Sequence, residues 1–214
     1  MVFLVLNPED QRMEYLEGAI SLLSYLTYYQ DEISQELWQF FPCLYLAFAD
    51  FAPDYIEEMS FPLENYMCKD TEVFLEGFIM TAPDDDEEEN SDNEVKLRFV
   101  DMIFKMAHST FTENHFTEDE STAACQMLLS CVHNCMGRLH IELEEEEENC
   151  GEEDEESENN KNVLTGYQDL ETIFDLVLLR LDLANTIPFK FKLYQVTLSL
   201  FIYDTEGFCD DFLF

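Results

Sequence analysis

Basic residues are scarce in this 214-residue chain: 10 lysines and arginines stand against 48 aspartates and glutamates, and the formal net charge is −38 at pH 7. A field of this sign repels nucleic acid and anionic lipid, and it attracts basic proteins. Plain solvation of a soluble surface is the alternative role for such charge. At this magnitude we expect a basic protein partner and no direct contact with nucleic acid.

Long apolar runs are also lacking, because no stretch of about 18 apolar residues is present that could cross a membrane as a helix. The apolar start Met1–Leu6 is too short for a signal peptide and has no basic residues before it. The seven cysteines are odd in number and lack the spacing of a disulfide framework. These features predict free thiols and an intracellular, soluble protein without membrane insertion.

Enzyme motifs are missing as well. The chain has six glycines and contains no P-loop, no G-x-G-x-x-G and no G-x-S-x-G sequence. Its four histidines lie on or near predicted helices without a paired nucleophile. We therefore expect no enzymatic activity and no cofactor.

Two metal-like patterns fail on geometry. Cys131, His133 and Cys135 resemble a ligand cluster, but helix positions i and i+2 point about 200° apart, so core cysteines are the favoured interpretation. The acidic run at Asp84 opens like an EF-hand loop. It has Glu89 where the glycine is required, and it ends without the bidentate glutamate. We expect no metal site.

A helical pattern is present instead. The stretch from Ser34 to Asp50 predicts an amphipathic helix, whose apolar stripe is Ile33, Leu37, Phe40, Phe41, Leu44 and Phe48. Pro53 ends that helix, and a second one is predicted from Asp54 towards Met80, kinked at Pro62. Together they form a predicted helical hairpin.

Further helices are predicted at about 13–30, 97–108, 118–137 and 164–183, with a last one from about 190. The helix at 118–137 has its apolar positions at Ala124, Leu128, Cys131 and Cys135 and is predicted to stop at Gly137. The last helix has its apolar positions at Tyr194, Leu198, Phe201 and Ile202. Thr117–Glu120 has the spacing of a capping box. The helix starts repeat as one pair per roughly 40 to 50 residues, which is typical of HEAT-like solenoids. We predict an all-α fold, a single array of three to four antiparallel helix pairs over residues 1–214. A closed helical bundle is the alternative.

Two acidic runs interrupt the helices. Eight of the eleven residues in Asp84–Glu94 and twelve of the seventeen in Glu142–Glu158 are acidic. They predict disordered loops at about 83–94 and 142–162, because such segments cannot bury enough apolar surface to become ordered. We expect these runs to bind lysine- and arginine-rich proteins. The alternative is that they only keep the chain soluble, or form an insertion without function. The candidate residues for binding a basic protein are Asp84, Asp85, Asp86, Glu87, Glu88, Glu89, Glu144, Glu145, Glu146, Glu147, Glu148, Glu152, Glu153, Asp154, Glu155 and Glu156.

The stretch Ser34–Phe74 resembles a central-to-C-terminal repeat segment of the importin-beta family of nuclear transport receptors, in its importin seven and importin eight branch. The residues that carry the resemblance are Ser34, Gln35, Trp38, Gln39, Pro42, Asp54, Tyr55, Pro62, Leu63, Asn65, Tyr66, Asp70 and Thr71. About forty residues match specifically, and the rest of the chain matches in helical pattern only.

The resemblance implies a HEAT-repeat superhelix that shuttles between cytoplasm and nucleus and carries basic cargo, such as ribosomal proteins or histones. In that family, GTP-bound Ran releases the cargo. The main Ran-binding repeats of the family lie at its N-terminus and have no counterpart in this chain, so Ran binding is not carried over. We expect a receptor fragment, a truncated gene product or a divergent, reduced relative. The alternatives are a stand-alone acidic chaperone of basic proteins and a helical scaffold whose acidic loops have no role.

Overall fold

The computed structural model describes residues 15–81, 95–149, 166–181 and 183–203, with no account of the side chains of residues 95, 136–149, 166–168, 170 and 203. The described residues are mostly helical, as predicted. They fall into two compact units, Met1–Met106 and Ala107–Phe214. In the described ranges, no helix is both long and apolar enough to cross a membrane.

The first unit is built from short helices and one β-hairpin. In chain order its elements are α1 (Leu16–Tyr29), α2 (Gln35–Trp38), α3 (Phe40–Asp50), a 3-10 turn (Pro53–Tyr55), α4 (Ile56–Lys69), α5 (Thr71–Glu76), β1 (Phe78–Thr81), β2 (Val95–Arg98) and the start of α6 (Phe99–Thr112). The antiparallel strands pair Phe78 with Arg98 and Thr81 with Val95.

The predicted apolar stripe of the opening stretch lies in the core. Phe41 and Leu44 are fully buried, Ile33, Leu37 and Phe48 are buried, and Phe40 is half-buried. The single predicted helix is divided, because Gln39 is a turn residue between α2 and α3. The periodicity therefore identified the buried face correctly and missed the break.

The predicted helix from Asp54 to Met80 is wrong in its second half. Helix α4 continues through Pro62 but ends at Lys69, because Asp70 leaves the helical conformation (φ −144°, ψ 70°). The Asp70 side chain then accepts a hydrogen bond from the Val73 N–H at 3.3 Å and caps α5. Strand β1 follows, and the sequence had predicted no strand.

Gly77 joins α5 to β1 at a point of close approach. A Cβ atom at this position would lie 2.3 Å from the Phe99 ring and 2.8 Å from the Val73 carbonyl oxygen. The Gly77 carbonyl accepts a hydrogen bond from the Phe99 N–H at 2.8 Å. Only glycine lets the chain turn here while the Phe99 ring packs against its backbone.

The second unit consists of the end of α6 and three longer helices: α7 (Glu118–Asn149), α8 (Gly166–Leu181) and α9 (Ile187–Tyr203). The predicted core positions of α7, Ala124, Leu128, Cys131 and Cys135, are all buried. Helix α9 packs along α7, where Lys192 donates to Gln126 Oε1 at 2.6 Å and His133 Nε2 lies 3.0 Å from Ser199 Oγ.

Two boundaries differ from the prediction in this unit. Helix α7 passes Gly137, which was predicted to end it, and continues to Asn149. An interior glycine costs about 1 kcal/mol relative to alanine, and the residues that follow it favour helix. Helix α9 begins at Ile187, ahead of Pro188, because proline is tolerated in the first helical turn, where its missing N–H is not needed.

Candidate interaction surfaces

The first acidic run lies in the chain between β1 and β2. Thr81 and Val95 are register partners, so the segment 82–94 starts and ends at one place on the first unit. Asp84–Glu89 and the remainder of this run lie outside the described residues. The prediction that the segment is a disordered loop therefore stays a prediction.

The second acidic run begins within a helix. The prediction placed a loop from about residue 142, whereas the backbone of α7 is helical to Asn149 and includes Glu142 and Glu144–Glu148. Six glutamates thus occupy the C-terminal turns of a helix, the end where the helix dipole disfavours negative charge. Glu152–Glu156 lie outside the described residues.

Two residues of the stretch Ser34–Phe74 form hydrogen bonds between α4 and the C-terminal part of α1. Asn65 Nδ2 donates to the Ser24 carbonyl at 3.1 Å and to Thr27 Oγ1 at 3.0 Å. The Lys69 ammonium donates to the carbonyls of Tyr28 and Gln30, at the C-terminal end of α1. A cation at this end satisfies free carbonyls and complements the helix dipole. Asn65, which carries the resemblance, therefore has a structural role.

Trp38 belongs to a buried aromatic cluster. Its ring stacks on Phe99 (5.8 Å between centroids, 11° between planes) and lies 4.7 Å from Tyr66. The Tyr66 hydroxyl donates to the Leu37 carbonyl at 2.5 Å, and burial raises the pKa of this phenol. Trp38 is 8% exposed, so its ring is part of the core of the first unit.

The exposed side of α1 carries tyrosines. Tyr25, Tyr28 and Tyr29 are 63%, 61% and 76% exposed. The rings of Tyr25 and Tyr29 are stacked at 6.3 Å, and Tyr28 meets Tyr29 edge-on at 5.1 Å. The sequence interpretation did not single them out, although their i, i+3, i+4 spacing places them on one helix face. We call these three residues the tyrosine surface.

Glu118 joins the starts of two helices in the second unit. Its carboxylate accepts hydrogen bonds from the backbone N–H groups of Asn185 (2.6 Å) and Thr186 (2.8 Å), just ahead of α9. The predicted capping box is present one residue earlier, since Thr117 Oγ1 accepts from Glu120 N–H and the Glu120 carboxylate accepts from Thr117 N–H at 2.6 Å. Glu118 and the capping box together define the entry to α7.

The donors of Thr186 and Asn185 lower the pKa of Glu118 from 4.5 to about 2. A depressed carboxyl pKa stabilises the fold above the unfolded pKa, and this contribution is lost as the pH falls towards 2. Glu118→Gln should therefore lower the melting temperature at pH 7, and the difference from wild type should shrink between about pH 4.5 and pH 2. Thermal unfolding followed by circular dichroism measures it. Asp119→Asn removes one charge from the same turn and is the control; an equal effect of both variants would contradict the capping role.

The cysteines within the described ranges are free, and Cys125, Cys131 and Cys135 are buried. Burial raises the pKa of Cys125 to about 12, although nearby Lys192 acts in the opposite direction. His133 is directed to Ser199 and not to either flanking cysteine. Among the residues described, no group of three histidine, cysteine or carboxylate side chains is placed to hold a metal ion.

Comparison with known proteins gives one informative similarity. The chain is 24% identical over 130 residues to a probable importin-7 homologue of Dictyostelium discoideum. The match covers 61% of this chain, which spans about a tenth of the length of that relative. No protein-family model matches the chain, and no solved structure matches it. The similarity supports a relation to importins at the level of the family, and the branch within the family is left open by it.

Proposed function

We propose that this chain is a helical-repeat segment of a nuclear import receptor, which binds basic cargo proteins through its acidic runs and shuttles between cytoplasm and nucleus. The proposal rests on two observations taken together: the similarity to an importin and the net charge of −38. Two short runs contain twenty of the 48 acidic residues. Ribosomal proteins and histones have the matching charge.

The helical faces support a solenoid. Helix α9 buries Phe189, Leu193, Val196 and Leu200 on one side. It exposes a second apolar row, which we call the outer stripe of α9: Ile187, Phe191, Tyr194, Leu198 and Ile202, each at least 58% exposed. A helix that is apolar on two sides suits a stack in which every helix pair packs on two neighbours.

The points at which the acidic runs join the described fold, together with their charge, support a role for them in binding a basic protein. The first leaves and re-enters the fold at the paired strands, and the second extends a helix whose first four turns are packed in the core. Many weak charge contacts give fast, salt-sensitive association with a basic surface. The unfavourable position of six glutamates at a helix C-terminus would be relieved by a bound cationic partner.

Neutralising the acidic runs should abolish most of the affinity for a basic protein. The test variant replaces the six acids Asp84–Glu89 with Ser or Asn and the acids of Glu142–Glu158 with Gln, which keeps helix propensity. Binding of core histones is measured by fluorescence anisotropy at low and at physiological salt. We expect weaker binding and a flatter salt dependence; unchanged affinity and salt dependence would return the runs to a solvation role.

A matched control removes six exposed acids elsewhere. These are Asp50, Glu72, Glu76, Asp119, Glu171 and Asp175. The control is compared with a variant that neutralises only the six acids Asp84–Glu89. Both variants lose six negative charges, but the control leaves the two acidic runs intact. The control should therefore bind histones more tightly than the Asp84–Glu89 variant. The coding sequence that flanks this chain separates the two classes of function: further helical repeats encoded beside it favour the receptor, and their absence favours a stand-alone acidic chaperone. Because the main Ran-binding repeats of the family have no counterpart in this chain, GTP-bound Ran by itself should leave the histone bound in either case.

A further inference from the structure

The tyrosine surface of α1 is exposed, aromatic and free of positive charge on its own helix. Helix α1 has one charged residue, Glu17, in its 14 positions, and Asp31 and Glu32 follow its end. All three carboxylates belong to exposed residues. In a chain with so many acids, a solvent-facing helix side that carries three tyrosines beside the partly exposed Leu22 and Leu26 is a specific departure, and the exposed Asp31 and Glu32 place negative charge at its C-terminal end.

A cation already lies against this surface. The Lys69 ammonium sits 5.7 Å from the centre of the Tyr28 ring while it donates to the carbonyls of Tyr28 and Gln30. The faces of aromatic rings attract cations, and the attraction is strongest in practice for arginine, whose flat guanidinium also stacks on the ring. Tyr29, at 76% exposure, leaves most of its ring open to an incoming side chain.

The geometry points to a docking surface for arginine side chains of a basic protein partner, formed by Tyr25, Tyr28 and Tyr29 with Asp31 and Glu32 at its C-terminal edge. A guanidinium stacks on a tyrosine ring and pairs with a carboxylate at this edge. Charge complementarity selects this occupant, since a second copy of the chain, an anionic lipid or a nucleic acid would meet the same negative edge. The inference rests on the proposed function and adds the preferred side chain and its place.

The acidic runs and the tyrosine surface should be distinguishable by chemistry. Carboxylates bind either cation through charge and give arginine an added advantage through bidentate pairing, whereas ring stacking favours the guanidinium alone, so the part of the arginine preference that is lost with the rings belongs to the tyrosine surface. The probes are therefore two fluorescein-labelled peptides of equal length and charge, one alternating arginine with glycine and the other alternating lysine with glycine. The wild-type chain should bind the arginine peptide several-fold more tightly.

The decisive variant is the triple change Tyr25→Leu, Tyr28→Leu and Tyr29→Leu. It keeps apolar side chains and removes the rings, and we expect a loss of about tenfold in affinity for the arginine peptide and of most of its advantage over the lysine peptide. The triple Tyr→Phe variant keeps the rings and should retain most of the affinity. Tyr194→Leu, at an exposed tyrosine on α9, is the control for loss of a surface tyrosine.

The outcomes separate the two proposals. If the Tyr→Leu variant keeps the arginine preference, the docking surface is refuted, while histone binding that depends on the acidic runs would still stand. If the variant loses the preference and the acidic-run variant keeps it, the surface is supported independently of the runs. Should the triple variant fail to fold by circular dichroism, Tyr29→Leu alone is measured, and an unchanged peptide preference in it overturns the inference.

Discussion

Replacing Phe41 with alanine is expected to lower the free energy of unfolding by about 3–5 kcal/mol, the range for truncating a fully buried phenylalanine. Phe41 has no exposed surface and lies at the centre of the aromatic cluster. Its ring centroid is 4.5 Å from that of Phe99, 5.4 Å from Tyr66 and 5.7 Å from Phe74. The pairs with Tyr66 and Phe74 are edge-to-face, an arrangement that adds to simple area burial.

The fluorescence of Trp38 can be used to measure this loss of stability, because Trp38 lies in the same aromatic cluster. It is the single tryptophan of the chain, and its ring centroid is 6.0 Å from that of Phe41, so its fluorescence reports on the cluster itself. Urea unfolding of wild type and Phe41→Ala, followed at the tryptophan emission, gives the difference in free energy. Any marginal domain would lose most of its stability through a change of this size.

A matched phenylalanine controls for composition. Phe61 lies on α4 and is 62% exposed, so Phe61→Ala should change the free energy of unfolding by no more than about 0.5 kcal/mol. Phe41→Leu keeps most of the volume and should fall between the two. Equal losses for the two alanine variants would contradict the central place of Phe41 in the core.

Sequence reasoning succeeded where one face of a helix is apolar and the other polar. The stripe of α3 and the positions Ala124, Leu128, Cys131 and Cys135 of α7 were identified from spacing alone, and all the α7 positions are buried. The Thr117–Glu120 capping box was likewise predicted and is present, because its hydrogen bonds are local and depend on neighbouring residues only.

The β-hairpin could not be inferred in this way. Strands β1 and β2 have four residues each, and their pairing joins positions up to twenty apart across the first acidic run. Short strands give little alternation, and the energy that favours them comes from pairing between segments and not from either segment alone. The same holds for the bonds of Asn65 and Lys69 to α1, which span about forty residues.

Helix α9 shows a different limit of periodicity. The sequence pattern places Tyr194, Leu198, Phe201 and Ile202 on the apolar side of this helix. As an assignment to the core this is wrong for three of the four, because Tyr194, Leu198 and Ile202 are exposed, whereas Phe201 is half-buried. Helix α9 has apolar residues at helical spacing on two sides, and spacing alone cannot tell which of two apolar rows packs inward. The packing against α7 decides the matter.

Two leucines of α9 test this assignment directly. Leu193 has no exposed surface, whereas Leu198 is 60% exposed in the outer stripe of α9. We expect Leu193→Ala to lower the free energy of unfolding by about 2–5 kcal/mol and Leu198→Ala to change it by no more than about 0.5 kcal/mol. Both substitutions remove the same atoms from one helix, so burial is the variable that differs between them. Thermal or urea unfolding measures both.

The outer stripe of α9 should affect the self-association of the chain and not its free energy of unfolding. No acidic residue occurs between Ile187 and Tyr203, so the repulsion that the net charge of −38 imposes on two copies is weakest along α9. If the chain is a segment of a stacked array, this stripe is a repeat-to-repeat face, and two copies should associate through it at high concentration and high salt. Leu198→Glu should then remain folded and sediment as a monomer in analytical ultracentrifugation. A wild-type chain that is strictly monomeric under the same conditions would argue for a closed bundle, in which an exposed apolar stripe has no stacking partner to meet.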